Sequence, residues 1–218
     1  MGTTLNFDQL LTAVWETVFM TFVSLFFASV FGLMIGILLY CTHSGGLFQN
    51  RIVNRITDVI VNVLRAIPFL ILLILLIPLT RALVGSMLGA KAALPPLIAA
   101  STPFYARMCV IAFQEVDKGT IEASKAMGAS NGQIIRKVLL PEALPAIVSG
   151  IAVTGISLVG YTAMAGAIGA GGLGNLAYMY GFARRNDAVL YTSTVIIVLI
   201  VFAIQWVGDA IVKRIDKR

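Results

Sequence analysis

With 218 residues, 59% of them hydrophobic and 12% charged, the chain carries about half the charge of a soluble domain, at a mean hydropathy of +0.94. That excludes a soluble enzyme or binding module. The lack of short alternating segments excludes a β-barrel, which leaves an all-α integral membrane protein whose length one helical bundle uses up. The net charge of +6 is spread between apolar stretches, so no nucleic-acid surface is expected. His43 stands alone, and Cys41 and Cys109 have neither the number nor the spacing of a metal site or disulfide framework.

Five apolar stretches are long enough to cross a bilayer, near 18–40, 59–79, 94–113, 144–168 and 188–207. The first has no basic segment before it and is too long for a cleaved signal, so it is expected to be retained. Its Gly32 and Gly36 form G-x-x-x-G, which serves either packing within the chain or dimerisation. The second is interrupted by Arg65, Pro68 and Pro78 and is expected to be one kinked helix. The GSMLGAK that follows (Gly85–Lys91) has the wrong spacing for a phosphate loop and no Ser or Thr after the lysine. ATP must therefore be handled elsewhere. The third stretch holds Arg107, which, like Arg65, either snorkels, pairs with a carboxylate such as Asp58 or Glu115, or takes part in gating.

Between the third and fourth stretches lies a polar segment with helix signals of its own. Thr120 and Ser130 are expected N-caps, and Ser130 with Gln133 fits a capping box. Gly128 falls between the two short helices so started. Ile134, Ile135, Val138 and Leu139 share one face of the second helix, Arg136 and Lys137 turn away, and Pro141 is expected to close it. Such an amphipathic helix either fills a groove on a partner or packs on its own bundle or the lipid headgroups.

The fourth stretch is rich in small and hydroxyl residues, including Ser157, Gly160 and Thr162, as suits a pore wall or a crowded interface. Met164, flexible and large near its far half, is either an apolar constriction or packing filler. Gly169, Gly171 and Gly174 spell G-x-G-x-x-G, but a membrane span precedes them where a dinucleotide site needs a strand. A tight, closely packed turn is expected there instead. No nucleophile–base arrangement and no paired carboxylates appear, so no catalytic residues are expected.

Five crossings put the ends on opposite sides. With the C-terminus cytoplasmic, eleven basic residues fall inside (Arg51, Arg55, Arg65, Lys118, Lys125, Arg136, Lys137, Lys213, Arg214, Lys217 and Arg218) against four outside (Arg81, Lys91, Arg184 and Arg185). The N-terminus is therefore expected outside and the polar segment in the cytosol.

The spacing of EASKAMGASNGQIIRKVLLP, residues 122–141, resembles the E-A-A loop of bacterial ABC-importer permeases: E-A-A, three residues, G, nine residues, I-x-L-P. Ser124 and Val138 depart from that pattern by conservative changes. WETVFMTFVS, LRAIPFLILL, IRKVLLPEALP and VGYTAMAGAIGAGGLGNLAY, in that order along the chain, are similar to the D-/L-methionine branch of these permeases. The resemblance implies one permease domain over 1–218, a five-span type I ABC importer permease fold, a homodimer with its pore on the dimer axis, and residence in the bacterial inner membrane. It implies that each copy holds one ATPase subunit, which binds ATP and Mg2+, through a coupling loop at about 115–141; no cofactor is expected in this chain. The coupling positions would be Glu122, Ala123, Ser124, Gly128, Ile134, Ile135, Arg136, Val138, Leu140 and Pro141. Met164 would gate a pathway lined by Thr162, Gly160 and Ser157. A periplasmic or lipid-anchored substrate-binding protein would dock on loops around 80–93 and 169–187. From the residues alone, another small nutrient stays open as substrate, as do an ATP-independent channel and a scaffold.

Overall fold

The computed structural model describes residues 7–216, and every regular element among them is helical. Lys217 and Arg218, counted above in the basic tail, lie outside the described residues. Four helices are long and apolar enough to cross a membrane: α1 (Phe7–Thr42), α5 (Ala90–Gln114), the run containing α8 (Leu140–Ala165), and α10 (Asp187–Ile215). Each outruns its apolar stretch, because helical hydrogen bonding continues into the polar ends.

The second stretch departs from expectation. In place of one kinked helix there are α2 (Arg51–Ala66), α3 (Phe69–Leu75) and α4 (Ile77–Val84), with a bend of 106° between α2 and α3. The break falls at Ile67, whose ψ of 123° is extended, as the ring of Pro68 dictates for the residue before it. Pro78 lies in the first turn of α4, where its missing N–H costs no helical bond. Asn50 caps α2 by accepting from the Ile52 and Val53 N–H groups.

Glycine sets how close α1 and α5 come. A Cβ on Gly32 would lie 2.8 Å from Tyr105 Cδ1, and one on Gly36 2.6 Å from Cys109 Cβ. The G-x-x-x-G therefore packs within the chain, and its register makes α1 and α5 parallel. α8 runs antiparallel to both neighbours: Tyr105 donates its hydroxyl to the Ile147 carbonyl at 3.3 Å, and Gly208 of α10 packs on Ala152. One core, with Met20, Leu97 and Leu158 fully buried, lies toward the end where α1 begins; the other, with Tyr105, Phe113 and Leu139, lies toward the end where α5 finishes. Arg107 pairs with Asp58 at 3.4 Å, tying α5 to α2 and neutralising a charge whose insertion unpaired costs about 2.5–3.5 kcal/mol at mid-membrane.

Replacing Gly36 by Leu is expected to cost about 1–3 kcal/mol through overpacking against Cys109, read as a lower Tm in detergent. Gly160→Ala, whose new Cβ meets nothing within 4 Å, should leave Tm unchanged.

Candidate functional site

At the end of the bundle where α1 finishes, α6 (Lys118–Ala126) and α7 (Asn131–Ile134) form a hairpin. The cap of α6 is Asp117, not Thr120: Asp117 Oδ1 accepts from the Thr120 N–H at 3.0 Å, since the chain is already helical at Lys118. At the other end of α6, the Gly128 N–H bonds to the Lys125 carbonyl and the Ala129 N–H to the Ser124 carbonyl, a Schellman closure that needs the φ of 83° at Gly128. Ser130 then starts α7 with a complete capping box: Gln133 N–H donates to its Oγ, and its own N–H donates to Gln133 Oε1 at 2.8 Å. Asn131 Nδ2 donates to the Leu47 carbonyl at 2.7 Å and pins the hairpin to the α1–α2 loop.

Pro141 does not end this helix. α7 passes through a five-residue π turn, Ile135–Leu139, straight into α8, with helical dihedrals at Ile134, Ile135, Leu139 and Leu140. The wide turn moves bonding one residue back, as in Leu140 N–H to the Ile135 carbonyl, and so accommodates a proline that can neither donate nor tolerate the usual carbonyl four residues earlier. From Asn131 to Ala165 the backbone is one rod of about 50 Å.

The residues expected to couple divide by exposure. Ile134 and Leu139 are fully buried, Ile135, Val138 and Leu140 are half-buried, and Arg136, Lys137 and Pro141 are exposed. Glu122, Ala123 and Gly128 lie open, while Ser124 is turned inward and donates to the Thr120 carbonyl. Glu122 and Lys125 border a cavity of about 200 Å³ with His43 and Ser44 of the α1–α2 loop. Met127, 80% exposed at the hairpin tip, escaped the sequence reading; its position just before Gly128, in a turn with no apolar partner nearby in sequence, is the signal that marks it.

Along α8, Ser149, Val153, Ser157, Gly160 and Met164 form a stripe open to the surroundings, with Met164 47% exposed. Thr162 is not on it. It is 1% exposed and donates to the Val159 carbonyl of its own helix, so the fold turns it into the chain. Ser157 likewise donates to the Val153 carbonyl but remains partly exposed.

After α8 the glycine-rich segment makes a π turn (Gly166–Ala170), a break, and then α9 (Gly172–Asn175), which continues through a second π turn (Leu176–Phe182). The break uses positive φ at Gly169, Gly171 and Gly172. Four bonds hold it. The Gly89 N–H donates to the Gly169 carbonyl, Asn175 Nδ2 to the Gly166 carbonyl, the Gly172 N–H to Glu16 Oε2 at 2.6 Å, and the Leu173 N–H to Thr17 Oγ1 at 2.8 Å. In the sequence Glu16 is only part of an acidic N-terminal stretch, yet it is the one carboxylate embedded in α1 beyond its first turn, a placement that calls for hydrogen-bond partners. No group of three or more His, Cys, Asp or Glu side chains able to hold a metal occurs among the described residues.

Comparison with known proteins gives this geometry a context. The chain is 54% identical to the methionine import system permease protein MetP of Bacillus subtilis strain 168 over 213 residues, 98% of this chain and 96% of the relative. It is 47% identical over 203 residues to the probable D-methionine transport system permease protein MetI of Pasteurella multocida, covering 93% and 94% of the two chains. Among solved structures, a chain of the MetNI methionine ABC transporter in an inward-facing conformation matches with a TM-score of 0.94 at 49% identity, over 97% of this chain and 98% of that one. An amino acid ABC transporter shares the fold at a TM-score of 0.79 and 19% identity. The family model for binding-protein-dependent transport system inner membrane components matches residues 29–218. The chain belongs to that family.

Proposed function

We propose that the chain is the membrane permease of an ATP-driven importer of D- and L-methionine, working as a homodimer in the bacterial inner membrane with two ATPase subunits and a periplasmic or lipid-anchored binding protein. The observation that carries this reading is the likeness to the MetNI chain, at 49% identity over 97% of the length. The permease relatives at 47–54% identity point to the same substrate. No observation favours a different nutrient, a channel or a scaffold.

The orientation follows from charge. With the hairpin in the cytosol, eleven basic residues lie inside against four outside, so the start of α1 and the glycine-rich turn face the exterior. The hairpin is suited to receive a mechanical input. It is capped at both helix ends, presents Glu122, Ala123 and Met127 to a partner, and buries Ile134 and Leu139 as an anchor. Because α7 and α8 are one rod, a displacement at Asn131 is transmitted to Met164. In a dimer the open stripe from Ser149 to Met164 faces its symmetry mate and lines the pathway. ATP supplies the energy when bound and hydrolysed on the partner subunits. This chain contributes only the two-state path: closure of the ATPase pair draws the hairpins together and swings Met164 out of the way on the outer side.

In proteoliposomes, methionine uptake is expected only when ATPase, ATP and binding protein are all present; flux without ATP would turn the assignment toward a channel. Gly128→Arg forces a β-carbon into a left-handed backbone at a cost of about 1–3 kcal/mol and disrupts the Schellman closure. Membrane levels should hold while ATPase association and uptake fall at least severalfold, and normal uptake would refute the coupling role. Met164→Ala should raise ATP-independent leak; an unchanged leak reduces Met164 to packing.

A further inference from the structure

The contact between Glu16 and the glycine-rich turn lies outside everything the coupling loop and the open stripe explain. Glu16 sits in the third turn of α1, and no charged residue follows it in that helix. A carboxylate there is costly unless its oxygens are satisfied. Its Oε2 accepts the Gly172 N–H at 2.6 Å, a short charge-assisted bond, and the adjacent Thr17 Oγ1 accepts the Leu173 N–H at 2.8 Å while donating to the Ala13 carbonyl. Two consecutive side chains of α1 thus take the first two unpaired donors of the helix that begins at Gly172. Ordinary side chains could not sit there: a Cβ on Gly172 would stand 2.7 Å from Thr17 Oγ1, and one on Gly171 3.0 Å from the Glu16 carboxyl carbon.

What is held at Gly172 is held against the end of α8. Gly174 packs on the backbone of Ala163, where a Cβ would stand 2.5 Å from the Ala163 Cα, and Gly166 packs on the Asn175 backbone, where a Cβ would stand 2.6 Å from the nitrogen. Met164 lies between those two contacts. Leu173, fully buried with Ala13, Leu176 and Val189, locks the same helix start to α1 and α10. The carboxylate also borders a cavity of about 280 Å³ lined by Asp8, Gln9, Thr12 and Asn175, so the clamp is reachable from its end of the bundle.

We propose that Glu16 is the positioning residue of the outer gate: with Thr17 it clamps the Gly172 helix start onto the last turn of α8 and holds Met164 in the closed position. This rests on the importer reading and on Met164 marking the outer gate. The clamp sets the resting position from which the α7–α8 rod must move, so losing it loosens the gate without touching the hairpin at the opposite end.

The test uses the assembled transporter in proteoliposomes with Ile168→Cys as a reporter in the turn after Met164. Ile168 is 45% exposed, whereas Cys41 and Cys109 are buried and give little background. A membrane-impermeant maleimide is added outside without ATP. In Glu16→Ala, labelling and ATP-independent methionine leak are expected to rise on the order of tenfold, the factor implied by a lost hydrogen bond to a charged group. ATP hydrolysis by the assembled complex should stay within about twofold of wild type. Glu16→Gln, which keeps an acceptor oxygen, should fall between wild type and Ala, and such graded rescue is not expected of a packing defect. Wild-type labelling and leak in Glu16→Ala, with ATP-driven wild-type uptake intact, overturn the clamp alone. If wild-type uptake runs without ATP, the importer reading and the clamp fall together. Should Glu16→Ala not assemble, Glu16→Gln and Thr17→Val decide: raised labelling in both supports the clamp, and labelling at the wild-type rate overturns it.

Discussion

A backbone N–H or C=O inside a bilayer has no water to turn to, so every interruption of a helix at membrane depth must be repaired by the protein itself. This chain breaks its helices at Ile67–Pro68 and across Gly169–Gly172 and shifts its bonding at Pro141, just short of the fourth apolar stretch, and each case is resolved differently. At Pro68 the chain turns through 106° and restarts as a separate helix. At Pro141 a π turn absorbs the missing donor and the helix carries on. At the glycines the loose donors are taken up by Glu16 and Thr17 from another helix. The choice of repair decides the mechanics: the first makes a corner, the second keeps a rod, and the third joins two helices.

Those three outcomes divide the chain into a frame and a rod. α1 and α5, in close parallel contact through Gly32 and Gly36, form the frame, to which α2 is tied by Arg107 and Asp58. The α7–α8 rod crosses the frame in the opposite direction. It carries the α6–α7 hairpin at one end and Met164 at the other. Frame and rod meet firmly at Tyr105–Ile147 and again at the glycine-rich turn, where both α1 and the start of α5 hold the chain. A transporter needs contacts of this kind, strong enough to define a closed state and few enough to be exchanged for another.

The sequence announced the helical class, four of the five expected spans, the capping box at Ser130 and the amphipathic face of the second short helix, because each depends on local residue types and spacing. It misled wherever proline or a cap competes with a neighbour. Pro141 was expected to stop a helix, but a stop signal can be overridden by a one-residue shift in bonding that no composition rule displays. Thr120 lost the cap to Asp117 because the helix starts three residues earlier than its pattern suggests. Thr162 belongs to the small-residue run of α8, yet its burial is decided by how α8 as a whole packs against α1, α5 and α10, which lies beyond any single window. Glu16 is harder still, since its partners lie 156 positions away and offer backbone rather than side chain.

The α1–α5 seam also bears on how the molecule is built. Gly32 and Gly36 meet residues roughly 70 positions later, so at about 5–20 residues per second the first helix spends several seconds in the bilayer before its mate is synthesised. During that interval a bare glycine groove faces the lipid, open to whatever small-residue helix drifts past. Small-residue grooves are where membrane helices pair, so the order of synthesis leaves this one unpartnered until α5 is made. Seam variants should differ more in yield than in the activity of the molecules that mature.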